Sequence, residues 1–263
     1  MTLTPDIIDQ LADRLLAAQD HAAPIVQITG DYPDMTAADG YAVQEAVARR
    51  WTARGARIVG RKAGLTSLIK MRQIGLSTPS FGILSSAMAL PEYGAVPVGA
   101  MIHPRIEAEI AFVMREPLND ENLTIDDVIA ACDFVLPAIE IIDSRYINFK
   151  FDLPSVLADN SSSGRFAVGC RPISPRDIDL RTIGTVVEIN GAVAATGASA
   201  AVLGHPAQAV ALLVRHMAQR GEILPAGSLV LTGSMIEALP IAAGDIISAR
   251  FQHLGSITLR CVG

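Results

Sequence analysis

An apolar segment that carries two like charges on one side can be buried in few ways, and residues 103–113, HPRIEAEIAFV, form such a segment. Read as a β-strand, it places Ile106, Ala108, Ile110 and Phe112 on one face and Glu107, Glu109, Ala111 and Val113 on the other. Two carboxylates brought together in a low-dielectric place are costly unless one takes a proton or a positive charge sits between them. A cation answers this most simply. A second apolar strand, DFVLPAIEIIDSRY, carries Glu140 as the lone charge between Val135 and Ile142. Three carboxylates on two buried strands suit a hard divalent ion, Mg²⁺ or Mn²⁺, with water or substrate oxygens filling the remaining octahedral positions, whereas zinc prefers nitrogen or sulfur. Spacing alone leaves it equally open that these glutamates lie on a solvated face or pair with Lys62, Arg105 or Arg145.

The chain around these strands is long enough, at 263 residues, for one large domain or a main domain with a smaller one. Half of it is hydrophobic and 18% is charged, with no charge block or low-complexity tract. A net charge of −6 and a pI near 5.3 exclude the basic stripe of a nucleic-acid footprint and point to a small-molecule ligand. Cys132, Cys170 and Cys261 are too few and too widely spaced for a CxxC site or a disulfide framework. They are expected as small core residues in a reducing cytoplasm. The opening MTLTPDIIDQLADRLL is an amphipathic helix containing acids, unlike the basic-then-apolar layout of an export signal. The uncharged run from Ile189 to Val214 is broken by Asn190, several glycines and His205-Pro206, so no membrane span is expected. The positive mean hydropathy of the whole chain comes from alanine, valine, leucine and isoleucine and suggests a thick core or a broad subunit interface.

Helices are predicted after Thr4-Pro5-Asp6, a cap followed by proline, and from about Thr36 to Arg54, where Thr36 and Asp39 form a capping pair and Gly55 a stop. ARIVGRKAGLTSLIKMRQIGL reads as a strand to Lys62, a glycine-bounded turn, then a short helix around Ser67 to Gln73. Short strands dominate from Ile102, interrupted by a helix capped by Thr124 and Asp127 and by another from about Pro206 to Gln219 that ends at Gly221. Asn190-Gly191 supplies the two positive-φ residues of a tight hairpin turn, and GSLVLTGS, DIISARFQ and GSITLRCV add strands. The expected class is α+β: a mixed β-sheet core with peripheral helices, preceded by a smaller α/β segment.

Lys62 ends an apolar strand between glycines that let other backbone or a ligand come close. It suits anchoring an anionic substrate or transferring a proton, or, more plainly, is a solvated strand-end lysine. ADNSSSG, residues 158–164, offers Asp159, Asn160 and three serines to a carboxylate, or simply makes a polar loop. GASAAVLGHP lacks both GxGxxG and a P-loop lysine and reads as tight packing before a helix. His103 and His205 have no Ser or Cys partner at a recognisable spacing, so a hydrolase triad has no support, and both are expected to be structural.

GRKAGLTS, HPRIEAEIAFV, PAIEIIDSRY, ADNSSSG, AAVLGHP and LPAGSLVLTGS, in this order, make the chain resemble the 2-oxopent-4-enoate hydratase/4-oxalocrotonate decarboxylase family, which shares the fumarylacetoacetase-type β fold. The resemblance implies a β roll or barrel catalytic domain over 99–263 and an N-terminal α/β segment over 1–98 that contributes Lys62. It implies metal ligands at Glu107, Glu109 and Glu140, with Mg²⁺ or Mn²⁺ as cofactor and Lys62 as active-site lysine. Thr66, Ser80, Asp159 and Ser162 fall on the substrate side, and Arg145 on charge balance near the site. TPSFGIL carries Ser80 where the hydratase branch has the Asp of PDFG; this, with DYPDMT, SLIKMRQIG and DSRYINFKFDLPSVLADN, brings the chain nearer the decarboxylase branch. The implied reaction is metal-assisted loss of CO₂ from 4-oxalocrotonate, a 2-oxo dicarboxylate, in meta-cleavage degradation of aromatic compounds. The alternatives are hydration of 2-hydroxypenta-2,4-dienoate and a scaffold role for such a hydratase. A homo-oligomer and a complex with the pathway hydratase are the expected partners.

Overall fold

The two faces of one strand set the layers of the molecule. In the computed structural model, which describes residues 2–68, 71 and 79–263, β5 (Arg105–Met114) pairs antiparallel with β6 (Cys132–Ile142). Ile106, Ala108, Ile110 and Phe112 point from β5 into a core shared with a second sheet, whose contribution includes Ile247, Ala249, Ile257 and Leu259. From the opposite face Ala111 joins Leu136, Ala138, Phe166 and Leu231 in a separate core with Leu11, Leu15, Val43 and Trp51. These last four lie on the helices α1 (Pro5–Asp20) and α2 (Ala37–Ala53). Alternation along β5 is thus converted into three layers: helices, first sheet, second sheet.

The first sheet is mixed and runs β2-β1-β10-β5-β6-β7-β3, with β11 (Leu239–Pro240) pairing to β5. Its other strands are β1 (Ile58–Gly64), β2 (Ser80–Ser85), β3 (Ala89–Leu90), β7 (Ser163–Val168) and β10 (Leu229–Leu231). β1 and β10 are parallel, as are β3 and β7. The second sheet runs β4-β13-β12-β8-β9, from β4 (Ala95–Pro97), β8 (Gly184–Ile189), β9 (Ala192–Ala198), β12 (Ile246–Phe251) and β13 (Gly255–Val262). Segment 1–98 supplies α1, α2 and β1 to β4, so it builds both ends of the first sheet, β2-β1 at one and β3 at the other, and one edge of the second.

The first sheet is strongly curled. Lys62 on β1 touches Glu140 on β6 at 3.0 Å, although β10 and β5 lie between their strands. Three strand spacings across a flat sheet span about 14 Å, farther than a lysine side chain extends. Curling brings the free edge of β2 to the segment that leads into β7, where the Asn160 side chain bonds both backbone groups of Ile83: it accepts from the amide at 2.7 Å and donates to the carbonyl at 2.9 Å. The sheet is a partial barrel closed by a side chain rather than by a strand pair.

The local signals behave as their chemistry requires. Thr36–Asp39 and Thr124–Asp127 each form a reciprocal capping box, the second opening α3 (Ile125–Ala131). Asn190 and Gly191 take φ of 55° and 79° in the turn between β8 and β9. α4 (Leu153–Ala158) is capped by Asp152, and α5 (Pro206–Ala218) by His205. Four expectations need correction or qualification. Thr4 stands at the N-cap of α1 but its hydroxyl makes no cap bond, leaving Pro5 and Asp6 to define the start. β1 continues through Gly64 because Gly64 still pairs with Ser80, so Lys62 lies within the strand and is buried. Cys170 is exposed just beyond β7, while Cys132 and Cys261 are core residues as expected. Of the helix expected around Ser67 to Gln73, residues 69, 70, 72 and 73 lie outside the described residues, Leu68 and Met71 are helical, and Ser67 forms an isolated bridge with Val202 instead. No described helix is long and apolar enough to cross a membrane.

Asp39 also ties the chain start to α2, accepting from the amides of Thr2, Leu3 and Thr36 and from the Thr2 and Thr36 hydroxyls. Burial works to raise its carboxyl, but these hydrogen bonds outweigh it and hold the group well below the usual carboxylate range. Asp39→Ala is expected to lower unfolding free energy by about 1–2 kcal/mol, read from urea unfolding. A depressed carboxyl contributes its stability above the unfolded value, near pH ~4, and loses it as pH falls through the folded value. The wild type should therefore lose stability faster than the variant below about pH 4; parallel pH profiles would refute this role.

Candidate metal centre

Register decides which acids meet. Glu107 stands directly across from Glu140 in the β5–β6 pair, and Glu109 across from Ala138, so Glu109 is the diagonal neighbour of Glu140. Cross-strand partners share a face, and three carboxylates therefore converge on the inner surface of the curled sheet. One oxygen from each lies within 4.8 Å of the others. Glu109 and Glu140 are fully buried and Glu107 is partly exposed at the mouth.

Each buried acid is held by one contact that leaves an oxygen over. Glu109 accepts the Gly233 amide on Oε2 at 2.7 Å, just past the end of β10. Gly233 has φ +101°, and a Cβ there would run into the Thr66 side chain, so only glycine lets Thr66 close over this amide. Glu140 Oε2 faces the Lys62 ammonium, which also donates to the Ser161 carbonyl at 3.2 Å. Oε1 of Glu109 and Oε1 of Glu140 are buried and have no hydrogen-bond donor among the described residues. Burial, then the charges of Glu140 and Glu107, push the Glu109 carboxyl well above the usual range. For Lys62 burial works the other way, yet Glu140, Glu107 and Glu109 outweigh it and hold the ammonium above the ordinary lysine value.

This donor set fits a hard divalent cation. Three carboxylates against one ammonium leave two negative charges in excess among these four groups, and the undonated oxygens are what such an ion binds. The fold thus brings together Glu107, Glu109, Glu140 and Lys62. The solvated-lysine reading fails, since Lys62 is 2% exposed.

Of the other expected site residues, Thr66 joins through Gly233, and Ser80 lies beside Lys62. The Ser80 hydroxyl and the Lys62 ammonium are 2.9 and 3.3 Å from the point a Gly64 Cβ would occupy, and the hydroxyl is buried without a partner. Ser162 has a buried, unpartnered hydroxyl, and its carbonyl accepts the Asp143 amide at 2.7 Å. Arg145 and Asp159 are placed against each other. The Arg145 guanidinium donates to the Asp159 carboxylate and carbonyl and to the Asp143 and Ser163 carbonyls, while its backbone amide donates to the same carboxylate at 3.1 Å. Burial pushes Asp159 up to about 6 against the pull of Arg145. The pair clamps the 143–146 and 159–163 segments together. His205 accepts the Ala207 amide as a helix cap, and His103 stacks on Phe149 at 4.4 Å between ring centres, so both are structural.

Sequence reasoning did not single out Gly233 or Gly82, and named Ser161 only as one of the three serines of the 158–164 loop. A glycine just after a strand, in LVLTGS, was the available signal for the first. A would-be Cβ on Gly82 meets the Lys62 stem at 2.9 Å, a close approach visible only once β1 and β2 are in register.

Comparison with known proteins agrees with this geometry. The chain is 50% identical over 261 residues to a 4-oxalocrotonate decarboxylase of Pseudomonas sp. (strain CF600), covering 99% of each chain. It is 36% identical over 255 residues to a 2-keto-4-pentenoate hydratase of Paraburkholderia xenovorans (strain LB400), covering 97% of this chain and 95% of the relative. Among solved structures, the 4-oxalocrotonate decarboxylase of Pseudomonas putida G7, complexed with magnesium and adipate, superposes with a TM-score of 0.97 at 48% identity, covering 99% of both chains. Residues 70–262 match the family described as Fumarylacetoacetate (FAA) hydrolase C-terminal. With its acid triad and lysine inside the curled sheet and that match over most of its length, the chain belongs to the fumarylacetoacetate hydrolase C-terminal family.

Proposed function

We propose that this chain is a divalent-metal-dependent decarboxylase that converts 4-oxalocrotonate (2-oxohex-3-enedioate) to CO₂ and 2-hydroxypenta-2,4-dienoate or its keto form. The observation that carries this is the convergence of Glu107, Glu109 and Glu140 beside the buried Lys62, in a chain half identical over its whole length to a decarboxylase of that substrate. In this reading the three carboxylates hold Mg²⁺ or Mn²⁺. When bound, the ion supplies a Lewis acid for the substrate's 2-oxo oxygen.

The chain's own groups do the rest. Breaking C5–C6 releases CO₂ and sends the bonding pair through C3=C4 to the C2 oxygen, so negative charge appears where the substrate meets the acid cluster. Lys62 works as an ammonium: it orients substrate oxygens and gives a proton to the dienolate. Burial of Lys62, Glu109 and Glu140 keeps bulk water from screening these charges. Gly233 and Thr66 hold Glu109, and Ser80 offers a neutral hydroxyl in the space it shares with the ammonium beside Gly64. Arg145 and Asp159 act from behind the serine loop, fixing its path.

Purified protein supplied with Mg²⁺ and 4-oxalocrotonate should release CO₂, and should leave 2-hydroxypenta-2,4-dienoate unconsumed when offered that compound instead. Consumption of the second compound alone would replace this reading with hydration; inactivity toward both would favour a scaffold role.

Glu109→Gln and Glu140→Gln should each lower Mg²⁺ affinity and turnover by about 100-fold or more, because a neutral amide replaces an anionic ligand. Calorimetric metal titration and circular dichroism check this together, and near-normal affinity in either folded variant would remove that residue from the ligand set.

A further inference from the structure

The Lys62 ammonium reaches the acid cluster only because a segment outside the cluster holds it there. Residues 160–162 are three consecutive non-glycine residues in the left-handed region, with φ of 51°, 50° and 59°. Such conformations are sparsely populated by residues with a side chain and persist only where surroundings impose them. What imposes them here is visible on both sides. Before the run, Asp159 is clamped by Arg145; within it, Asn160 spends its side-chain amide on the two backbone groups of Ile83, at the free edge of β2. This turns the next carbonyl, that of Ser161, onto Lys62 Nζ at 3.2 Å.

The lysine is confined from the other direction by β2. Lys62 and Gly82 are register partners, and the Lys62 stem and the Asn160 carbonyl both crowd the place of a Gly82 Cβ, at 2.9 and 3.0 Å. Asn160 therefore stands between the strand edge and the lysine, touching one through its side chain and directing the other through the following carbonyl. An ammonium has three N–H groups. With Ser161 taking one and Glu140 opposite another, one is left over, and the ammonium shares the space beside Gly64 with the unpartnered Ser80 hydroxyl.

We propose that Asn160 is a positioning residue: by latching the free edge of β2 to the strained 160–162 turn, it fixes the Ser161 carbonyl against Lys62 and so sets the direction of the ammonium. Asn160 touches neither the acids nor, on this account, the substrate, and its effect runs through Lys62. The inference rests on the decarboxylase reading for its catalytic consequence, though not for its structural one.

Asn160→Gly keeps the left-handed backbone accessible while deleting the latch. Turnover should fall about 10- to 100-fold, the range for a loosened supporting group, while KM and Mg²⁺ affinity change less than about threefold. Gly82→Ala, which leaves the latch in place and crowds the lysine stem, should give the same split. Lys62, Lys70 and Lys150 are the only lysines in the chain, so ¹³Cε-lysine labelling gives three signals, with Lys62 assigned through Lys62→Met. In folded Asn160→Gly the Lys62 signal should shift or broaden and the other two stay. An unmoved Lys62 signal, turnover within about twofold of wild type, or parallel loss of metal affinity and folded structure would overturn the proposal. If the wild type released no CO₂ but the Lys62 signal still moved, the decarboxylase reading would fail and the positioning role would stand.

Discussion

A lysine on β1 can touch a glutamate three strands along only if the sheet between them is rolled. The Lys62–Glu140 contact is therefore both a product of the curl and the charge that makes its interior tolerable. Without a positive group the inner face would hold Glu109 and Glu140 in a space from which water is excluded, and like charges there drive each other toward the protonated form. One ammonium answers part of that charge. A divalent ion would answer the remainder, so an arrangement that is unfavourable for a bare fold would become favourable on metal binding. Burial, then the charges of Glu140 and Glu107, accordingly hold the Glu109 carboxyl above its usual range.

The rest of the architecture follows from keeping that interior both narrow and polar at one end. Along the inner face of β5, Glu107 and Glu109 give way to Ala111, which packs with Leu231 and Ala138 beneath the helices, so polar site and apolar core are successive positions of one strand. Small residues admit the long side chain: Gly82 lies under the Lys62 stem, Gly64 opens space between Lys62 and Ser80, and Gly233 lets an amide reach Glu109. A methyl group at these positions would meet the Lys62 stem at 82, the Ser80 hydroxyl and Lys62 ammonium at 64, and the Thr66 side chain at 233.

Much of this is legible in sequence where it depends on near neighbours. The alternation of HPRIEAEIAFV, the two capping boxes and the Asn190-Gly191 turn each involve residues within a few positions, and each forms as its chemistry dictates. Register is different. Sliding β6 by two residues would keep every face assignment and still part Glu140 from Glu107, so nothing within either strand selects the pairing that gathers the acids. The placement of Lys62 was ambiguous for a related reason: its burial depends on β2, whose glycine at 82 matters only once paired opposite. Arg145 and Asp159 are placed near the site by the family resemblance and not by a local sequence signal. Their engagement with each other depends on a turn of three left-handed residues, a conformation that local propensity alone would not suggest for Asn-Ser-Ser.

That turn also explains why a buried ion pair stands behind the site instead of apolar packing. A buried pair is seldom worth more than well-packed hydrocarbon in net stability, because desolvation offsets most of its attraction. Its advantage is directional: the Arg145 guanidinium engages the Asp159 carboxylate and three separate carbonyls, four partners in a fixed fork that no aliphatic side chain can reproduce. Hydrocarbon would fill the volume and leave the backbone of 160–162 free to relax to right-handed conformations. The Ser161 carbonyl would then turn from Lys62, and the ammonium would swing toward whichever acid drew it most. Polar specificity behind the serine loop is thus the condition for a defined charge geometry in front of it.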